Sequence, residues 1–411
     1  MSRIVRNWRE AATLMLCTLR SNNSKSYNDK ATCSLKKCGT VPHKNFLKQE
    51  TDSRSVDILM LKRSSQSQFL PSVYVFPGGI SHDSDFSQEW IGLFNSCGQH
   101  LNFDKFILSN QKPFEENRPD ESVFTRKRNV VSGVPGEVGI RICAIRETFE
   151  ESGVLIAKHV DDARIFNRNP SLFNTGPISG STFSSPVLGQ WRERVIHEAS
   201  QFVVMCRDLN IVPDVWSLYE WCNWLTPVIN PVHLSKHRRR FDTAFFACCI
   251  SGSSHAVEDQ RETVYSLWSS PELIVESWRE NHVGLAGPQL YELSRLLNFE
   301  NAHALHNFLF EISTHRAERW MGVFCVCKDA LLELLPGDSL YPENVNCNKD
   351  SAIFRDETHD ELKTMFPKRN RVVYSRKPKQ GRLLGVDCNV QLHNHVTPRN
   401  IIRNQSEPSV E

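Results

Sequence analysis

No C-x-x-C pair occurs in the 411 residues, and the thirteen cysteines are an odd number. A structural zinc site and a fully paired disulfide set are therefore both unexpected, and scattered thiols fit a reducing, intracellular compartment. An excess of charge of one sign is also missing, since 49 Lys and Arg stand against 47 Asp and Glu, a net +2. That balance excludes the basic footprint of a non-specific nucleic-acid binder and the acidic tail of a solvating segment, so no nucleic-acid partner is expected. No apolar run approaches the ~18 residues of a membrane span. The best candidates, Ala11–Leu19 and Ala244–Ile250, are strand-sized. No internal repeat is present.

What the chain does have is ordinary globular composition, 40% hydrophobic and 23% charged, enough for a large core. The length predicts two or three domains, or one with large insertions. Ala11–Leu19, Val56–Lys62 and Val73–Phe76 read as strands, the last stopped by Pro77-Gly78-Gly79. Ser21–Arg54 is polar and reads as a loop. From Ser81 to Gly139 the pattern is irregular, with one aromatic stretch at Trp90–Phe94, and reads as a long insertion. A helical period begins at Ile140, with Ile142, Ile145 and Phe149 on one face and Gly153 as a stop. Val187–Leu209 reads as an amphipathic helix, and Phe241–Ile250 as a buried strand. Helical signals dominate Pro271 to Leu335. Strands bracketing a helix, followed by helices, give an α/β or α+β core with a helical addition.

The stretch that carries chemistry is Arg146-Glu147-Thr148-Phe149-Glu150-Glu151-Ser152-Gly153-Val154. Residues three and four apart share a helix face, so Glu147, Glu150 and Glu151 project together. Three carboxylates on one stripe repel, and a hard cation such as Mg²⁺ or Mn²⁺ removes that penalty through oxygen ligands. Arg146 begins the same turn and can anchor a carboxylate. A solvated acidic face is the bland alternative. Against it, the Phe76-Pro77-Gly78-Gly79 turn supplies backbone N–H groups able to approach phosphate oxygens.

Arg146–Val154 resembles the second half of the Nudix box, R-E-U-x-E-E-x-G-U, with Thr148 at the first apolar position, and Gly78-Gly79 resembles its opening glycine. Gly79 precedes Arg146 by 67 positions, 53 more than the 14 of the simple box. Such an insertion is similar to that of the acyl-coenzyme A diphosphatase branch of the Nudix hydrolases, often peroxisomal. Leu59-Met60-Leu61-Lys62-Arg63-Ser64 with Phe76-Pro77-Gly78-Gly79 resembles the coenzyme A signature, although Gln68 stands for an arginine, Ser72 for a glycine and His82 for an aspartate. Trp224–Pro227, Arg240–Phe246, Trp268–Pro271 and Leu335–Pro342 also resemble the branch, which extends the likeness over residues 8–345.

The resemblance implies an α/β/α Nudix sandwich, a mixed sheet between helices with the catalytic helix Ile140–Glu151 against it. Together with the residue pattern it gives a Nudix domain over 1–270 with the insertion at 81–139, a helical addition over 271–345, and a C-terminal segment over 346–411; residues after about Asn394 are expected to be disordered. It also implies metal-dependent hydrolysis of the diphosphate of coenzyme A or acyl-CoA, giving adenosine 3′,5′-bisphosphate and the 4′-phosphopantetheine half. The implied catalytic residues are Arg146, Glu147, Glu150, Glu151 and, from a later loop, Glu262. Glu147, Glu150 and Glu151 would hold Mg²⁺ or Mn²⁺, and Arg63, Gly78 and Gly79 would bind substrate. Another dinucleotide substrate (NADH or an RNA cap) and a catalytically silent Nudix module remain open readings.

The acid between opening glycine and arginine is displaced from its usual place; Glu137 and Asp85 are the candidates. Arg63 is read equally as a phosphate partner or a strand-end charge. Lys236–Arg240 is read as a solvated loop, and Trp216, Trp221 and Trp224 as core. Cys97, Cys143 and Cys206 are read as buried small hydrophobes. The branch points to a peroxisome, yet the chain ends Ser409-Val410-Glu411 rather than S-K-L. The basic first fifty residues leave a mitochondrial presequence open beside the simpler reading of a strand and a loop.

Overall fold

The computed structural model describes residues 8–19, 56–67, 70–98, 122–124, 133–168, 177–228, 240–251, 256–259, 261–313, 315, 317–349, 352–376, 382–392 and 395–403. Its frame is a nine-stranded mixed sheet. The strand Arg9–Leu19 lies at the centre, parallel to Phe241–Ile250 and antiparallel to Val56–Arg63. Tyr219–Leu225 and Arg319–Met321 extend the sheet on one side, Val73–Val75 and Gly284–Leu285 on the other. Thr263–Ser269 also pairs with Val56–Arg63, and Gly78–Ile80 with Arg9–Leu19.

Both faces are buried, because alternate residues along each central strand feed different cores. Leu14, Leu16, Leu59, Leu61, Ala244 and Phe246 pack on one face with Ile142, Ile145 and Phe149 of the helix Gly136–Ser152. Met15, Cys17, Ile58, Met60, Phe245 and Ala247 pack on the other with the helices Pro271–Arg279, Gly287–Leu296 and Ala302–Ile312. The helix–sheet–helix sandwich expected from the sequence is therefore present. Trp216, Trp221 and Trp224 are core residues, and Cys97, Cys143 and Cys206 are buried free thiols.

Several boundaries differ from the sequence reading. Val187–Leu209 is two helices, Leu188–His197 and Gln201–Asp208, broken at the extended Glu198. The helical addition ends at Ile312; Arg319–Met321, Val323–Val326 and Ala330–Leu334 are strands. The last two open a second, six-stranded sheet with Ile353–Phe354, Asn370–Ser375, Leu383–Cys388 and Ile401–Ile402. The expected disorder beyond Asn394 is corrected for 395–403, since Ile401 pairs with Val386; 404–411, like the loop expected at Ser21–Arg54, lies outside the described residues. Of the insertion, Asp83–Phe86 forms a 3₁₀ turn and Glu89–Asn95 a helix carrying Trp90 and Phe94 into the core. Among the described residues no helix is long and apolar enough to cross a membrane.

Candidate active site

The helix Gly136–Ser152 begins four residues before the expected Ile140 and stops where the sequence placed its end. Gly153 takes the left-handed conformation (φ 72°) and returns its N–H to the Phe149 carbonyl. A Cβ on Gly139 would stand 2.0 Å from the Phe86 ring, so glycine there lets the 3₁₀ turn lie directly on the helix. Thr148, the polar residue at an apolar box position, is fully buried and donates its hydroxyl to the Ala144 carbonyl at 2.7 Å. That bond removes the cost of burying the hydroxyl.

The glycine turn meets the end of this helix. Gly78 N–H donates to Glu151 Oε2 at 2.8 Å. Gly78 has φ 156°, and a Cβ there would lie 2.3 Å from the Ala12 carbonyl oxygen. On Gly79 a Cβ would lie 2.3 Å from Glu147 Oε2, so the bare backbone is what admits the carboxylate.

Arg146 is 3% exposed and ties the acids together. Its Nε and Nη2 grip Asp85 at 2.7 and 2.9 Å, while Nη1 donates to Glu147 Oε1 at 2.9 Å and Glu150 Oε1 at 2.7 Å. Nη2 also reaches the Ile80 carbonyl at 3.1 Å. Asp85 is fixed in turn by the N–H of His82 at 2.8 Å. Of the two candidates for the displaced box acid, Asp85 is the one bonded to the arginine. Glu137 stands in the first helical turn, where its carbonyl accepts from Arg141. Asp85 lies six positions after Gly79, so the long stretch of extra residues enters between Asp85 and Arg146.

Burial lifts the Glu147 carboxyl to about 7, with Glu150 and Asp85 adding to the rise and Arg146 opposing it. Glu150 moves up for the same first reason, and Glu151 well above the usual carboxylate range, with the Glu147 charge adding to it. For Arg146, burial alone would lower the guanidinium, but Asp85 and Glu147 outweigh it and hold it well above its ordinary value. One arginine thus serves three carboxylates while a fourth leans on a backbone N–H. Such an all-oxygen, crowded donor set suits a hard divalent cation. Among the described residues, however, no three acidic, His or Cys side chains already stand in a ligand sphere. Glu147 and Glu150 would have to turn from Arg146 Nη1 to bind one.

Arg63, half-buried, bonds Ser67 through Nε and Nη2 at 3.2 and 2.8 Å, and its charge acts on Glu151. Glu262 is exposed, and its charge acts on both Glu150 and Glu151. Sequence reasoning missed Arg192, whose Nε donates to the Glu150 carbonyl at 2.9 Å. A long-range carbonyl contact leaves no spacing signal. Of the basic run, Arg240 is buried, bonded to the Thr226 carbonyl and set over the Trp8 ring. This corrects the solvated-loop reading at that residue; 236–239 lie outside the described residues.

Comparison with known proteins shows the family. The family model of the NUDT19 Nudix domain matches residues 8–296, and that of the NUDT19 C-terminal domain matches 324–379. Proteins named acyl-coenzyme A diphosphatase NUDT19 are similar along most of their length. The one from Xenopus laevis is 36% identical over 88% of this chain and 89% of its own. That from Gallus gallus is 36% identical over 83% and 87%, and that from Homo sapiens 32% over 85% and 88%. A crystal structure of a NUDIX hydrolase from Alicyclobacillus acidocaldarius superposes with a TM-score of 0.44 at 16% identity, covering 73% of this chain and 95% of that one. With a helix ending in clustered glutamates under a glycine turn, and a family match over most of its length, the chain belongs to the Nudix hydrolases of the NUDT19 family.

Proposed function

We propose that the protein hydrolyses the diphosphate of coenzyme A or an acyl-CoA, releasing adenosine 3′,5′-bisphosphate and (acyl-)4′-phosphopantetheine. The observation that carries the reading is the crowding of acids at the end of the helix: Glu147, Glu150 and Glu151 gather under the Gly78-Gly79 turn, and among the described residues one guanidinium, Arg146, is bonded to both Glu147 and Glu150. Relatives named acyl-coenzyme A diphosphatase support the substrate class.

Nudix hydrolases generally use divalent metals; here we assign Mg²⁺ or Mn²⁺, held by Glu147, Glu150 and Glu151. Such an ion, when bound, polarises the diphosphate and makes water a better nucleophile. Arg146 is too buried to touch substrate and acts as a positioning residue, setting Glu147 and Glu150 through one nitrogen. We place the Gly78-Gly79 turn beside the diphosphate, its missing side chains letting Glu147 come close to the turn, and Arg63 supplies charge from the neighbouring strand end. Glu262, exposed on its loop, takes the proton from the attacking water as general base.

The test incubates the protein and Mg²⁺ with CoA, acyl-CoA, NADH, ADP-ribose and capped RNA, and resolves products by mass spectrometry. Adenosine 3′,5′-bisphosphate from the CoA substrates, absent with Glu150→Gln, is expected. Cleavage of NADH or cap alone moves the substrate and rejects the CoA reading. Inertness toward all of them makes the protein a binding module.

A further inference from the structure

The last four carbonyls of a helix have no partner within it. In the helix Gly136–Ser152 each of them is met by a different donor. Gly153 N–H takes Phe149 O at 2.8 Å and Arg192 Nε takes Glu150 O at 2.9 Å. Thr263 Oγ1 takes Glu151 O at 3.2 Å, and Val257 N–H takes Ser152 O at 2.8 Å. Two of these donors, Val257 and Thr263, flank the loop that carries Glu262.

That loop is wound around one side chain. Asp259 Oδ1 accepts from the N–H of Arg261 at 3.1 Å, the N–H of Thr263 at 2.9 Å and the Thr263 hydroxyl at 2.9 Å. Its Oδ2 accepts from the N–H of Glu262 at 3.2 Å. Three successive backbone donors on one carboxylate fix the turn, as Asp does in side-chain-closed turns. The Glu262 carbonyl accepts from Ser64 N–H at 2.9 Å, one residue beyond Arg63, which pairs in register with Thr263. Thr263 is fully buried, and its single hydroxyl proton is shared between two acceptors, Asp259 Oδ1 at 2.9 Å and the Glu151 carbonyl at 3.2 Å.

We infer that Asp259 and Thr263 are positioning residues that clamp the Glu262 turn to the end of the metal-binding helix, so that the loop acid and the helix acids move as one unit. This rests on the reading of Glu262 as general base. The clamp replaces flexible approach of an exposed glutamate by a fixed one, and misplacing a catalytic group by about an ångström costs on the order of 10²-fold in rate.

The experiment is a double-variant cycle on the full chain with Mg²⁺ and CoA, using Glu262→Gln, Thr263→Val, Thr263→Ser and the pair Glu262→Gln with Thr263→Val. Thr263→Val is expected to lower kcat by roughly 10- to 100-fold with KM within about twofold. Thr263→Ser, which keeps the hydroxyl, should restore it. In the Glu262→Gln background, Thr263→Val should add less than about a further twofold, because the group it positions is already gone. Losses that multiply across the pair overturn the clamp, and so does full activity of a folded Thr263→Val. Wild-type turnover of Glu262→Gln instead rejects the general base itself, and any Thr263→Val loss then belongs to the helix alone, which also overturns the inference. Should Thr263→Val fail to fold, Asp259→Asn takes its place in the same cycle.

Discussion

Two acidic clusters are buried on opposite faces of the same sheet, and they differ in one respect. On the side of Glu292, one carboxylate meets one guanidinium: its oxygens accept from Trp221 Nε1 at 2.6 Å, Trp224 Nε1 at 2.8 Å, Cys222 Sγ at 3.2 Å and Arg295 Nη1 at 3.1 Å. The Arg295 guanidinium lies 4.9 and 4.5 Å from the Tyr291 and Trp320 ring centroids, so the charge is packed as well as paired. On the other side, among the described residues, the single guanidinium of Arg146 is shared by Asp85, Glu147 and Glu150. Both clusters are desolvated, so burial by itself does not mark a site. The crowding of acids does, because one guanidinium bonded to three carboxylates leaves the rest of the balance to protons or to a cation from outside the chain.

Substituting one acid in each cluster should separate activity from stability. Glu150→Gln is expected to lower kcat by on the order of 10³-fold, about 4 kcal/mol in activation free energy. Its melting temperature should hold or rise, because a like charge leaves a crowded helix face. Steady-state kinetics with a thermal melt checks both, and near-normal turnover would remove the metal assignment. Glu292→Gln should do the reverse, costing about 3 kcal/mol of stability by leaving Arg295 buried without its counter-charge, with kcat per folded molecule kept within about twofold. A large kcat loss at unchanged denaturation midpoint would erase the distinction between the two clusters.

The legible part of this molecule was the part written at short range. The i, i+3, i+4 spacing of Glu147, Glu150 and Glu151, the stop at Gly153 and the Gly78-Gly79 turn all follow from local geometry. Asp85 was legible only as one of two candidates, since its distance from Arg146 along the chain says nothing until the insertion is folded away. Its carboxylate reaches the arginine because the 3₁₀ turn Asp83–Phe86 sits on the helix at Gly139. The strands between Arg319 and Leu334 were unreadable for a different reason. Runs such as Ala330-Leu331-Leu332-Glu333-Leu334 have no period of two and favour helix, and only pairing with Val323–Val326 and Asn370–Ser375 makes them strands. Likewise nothing in the polar tail announces that Ile401 closes a sheet edge.

The smallest effect tests the crowding of acids without mutating the site. Glu147 binds its proton more tightly folded, near pH 7, than at its ordinary 4.5. Its stabilising contribution is therefore complete below about pH 4.5 and is lost as pH rises through about 7; Glu150 and Glu151, raised too, act in the same direction. A cation competes with those protons for the same oxygens and should blunt the loss. Burial raises Glu333, in the second sheet, to about 7 as well, its one opposing influence the hydroxyl of Tyr374. It is not among the carboxylates assigned to the metal, so its share of the slope should survive in either buffer and vanish in Glu333→Gln. Melting temperatures followed from about pH 5 to pH 8 should fall more steeply in EDTA than in millimolar Mg²⁺, by roughly 1–3 °C. Parallel curves in the two buffers would mean that the crowded acids are satisfied by the protein alone, and the two clusters would then be of one kind.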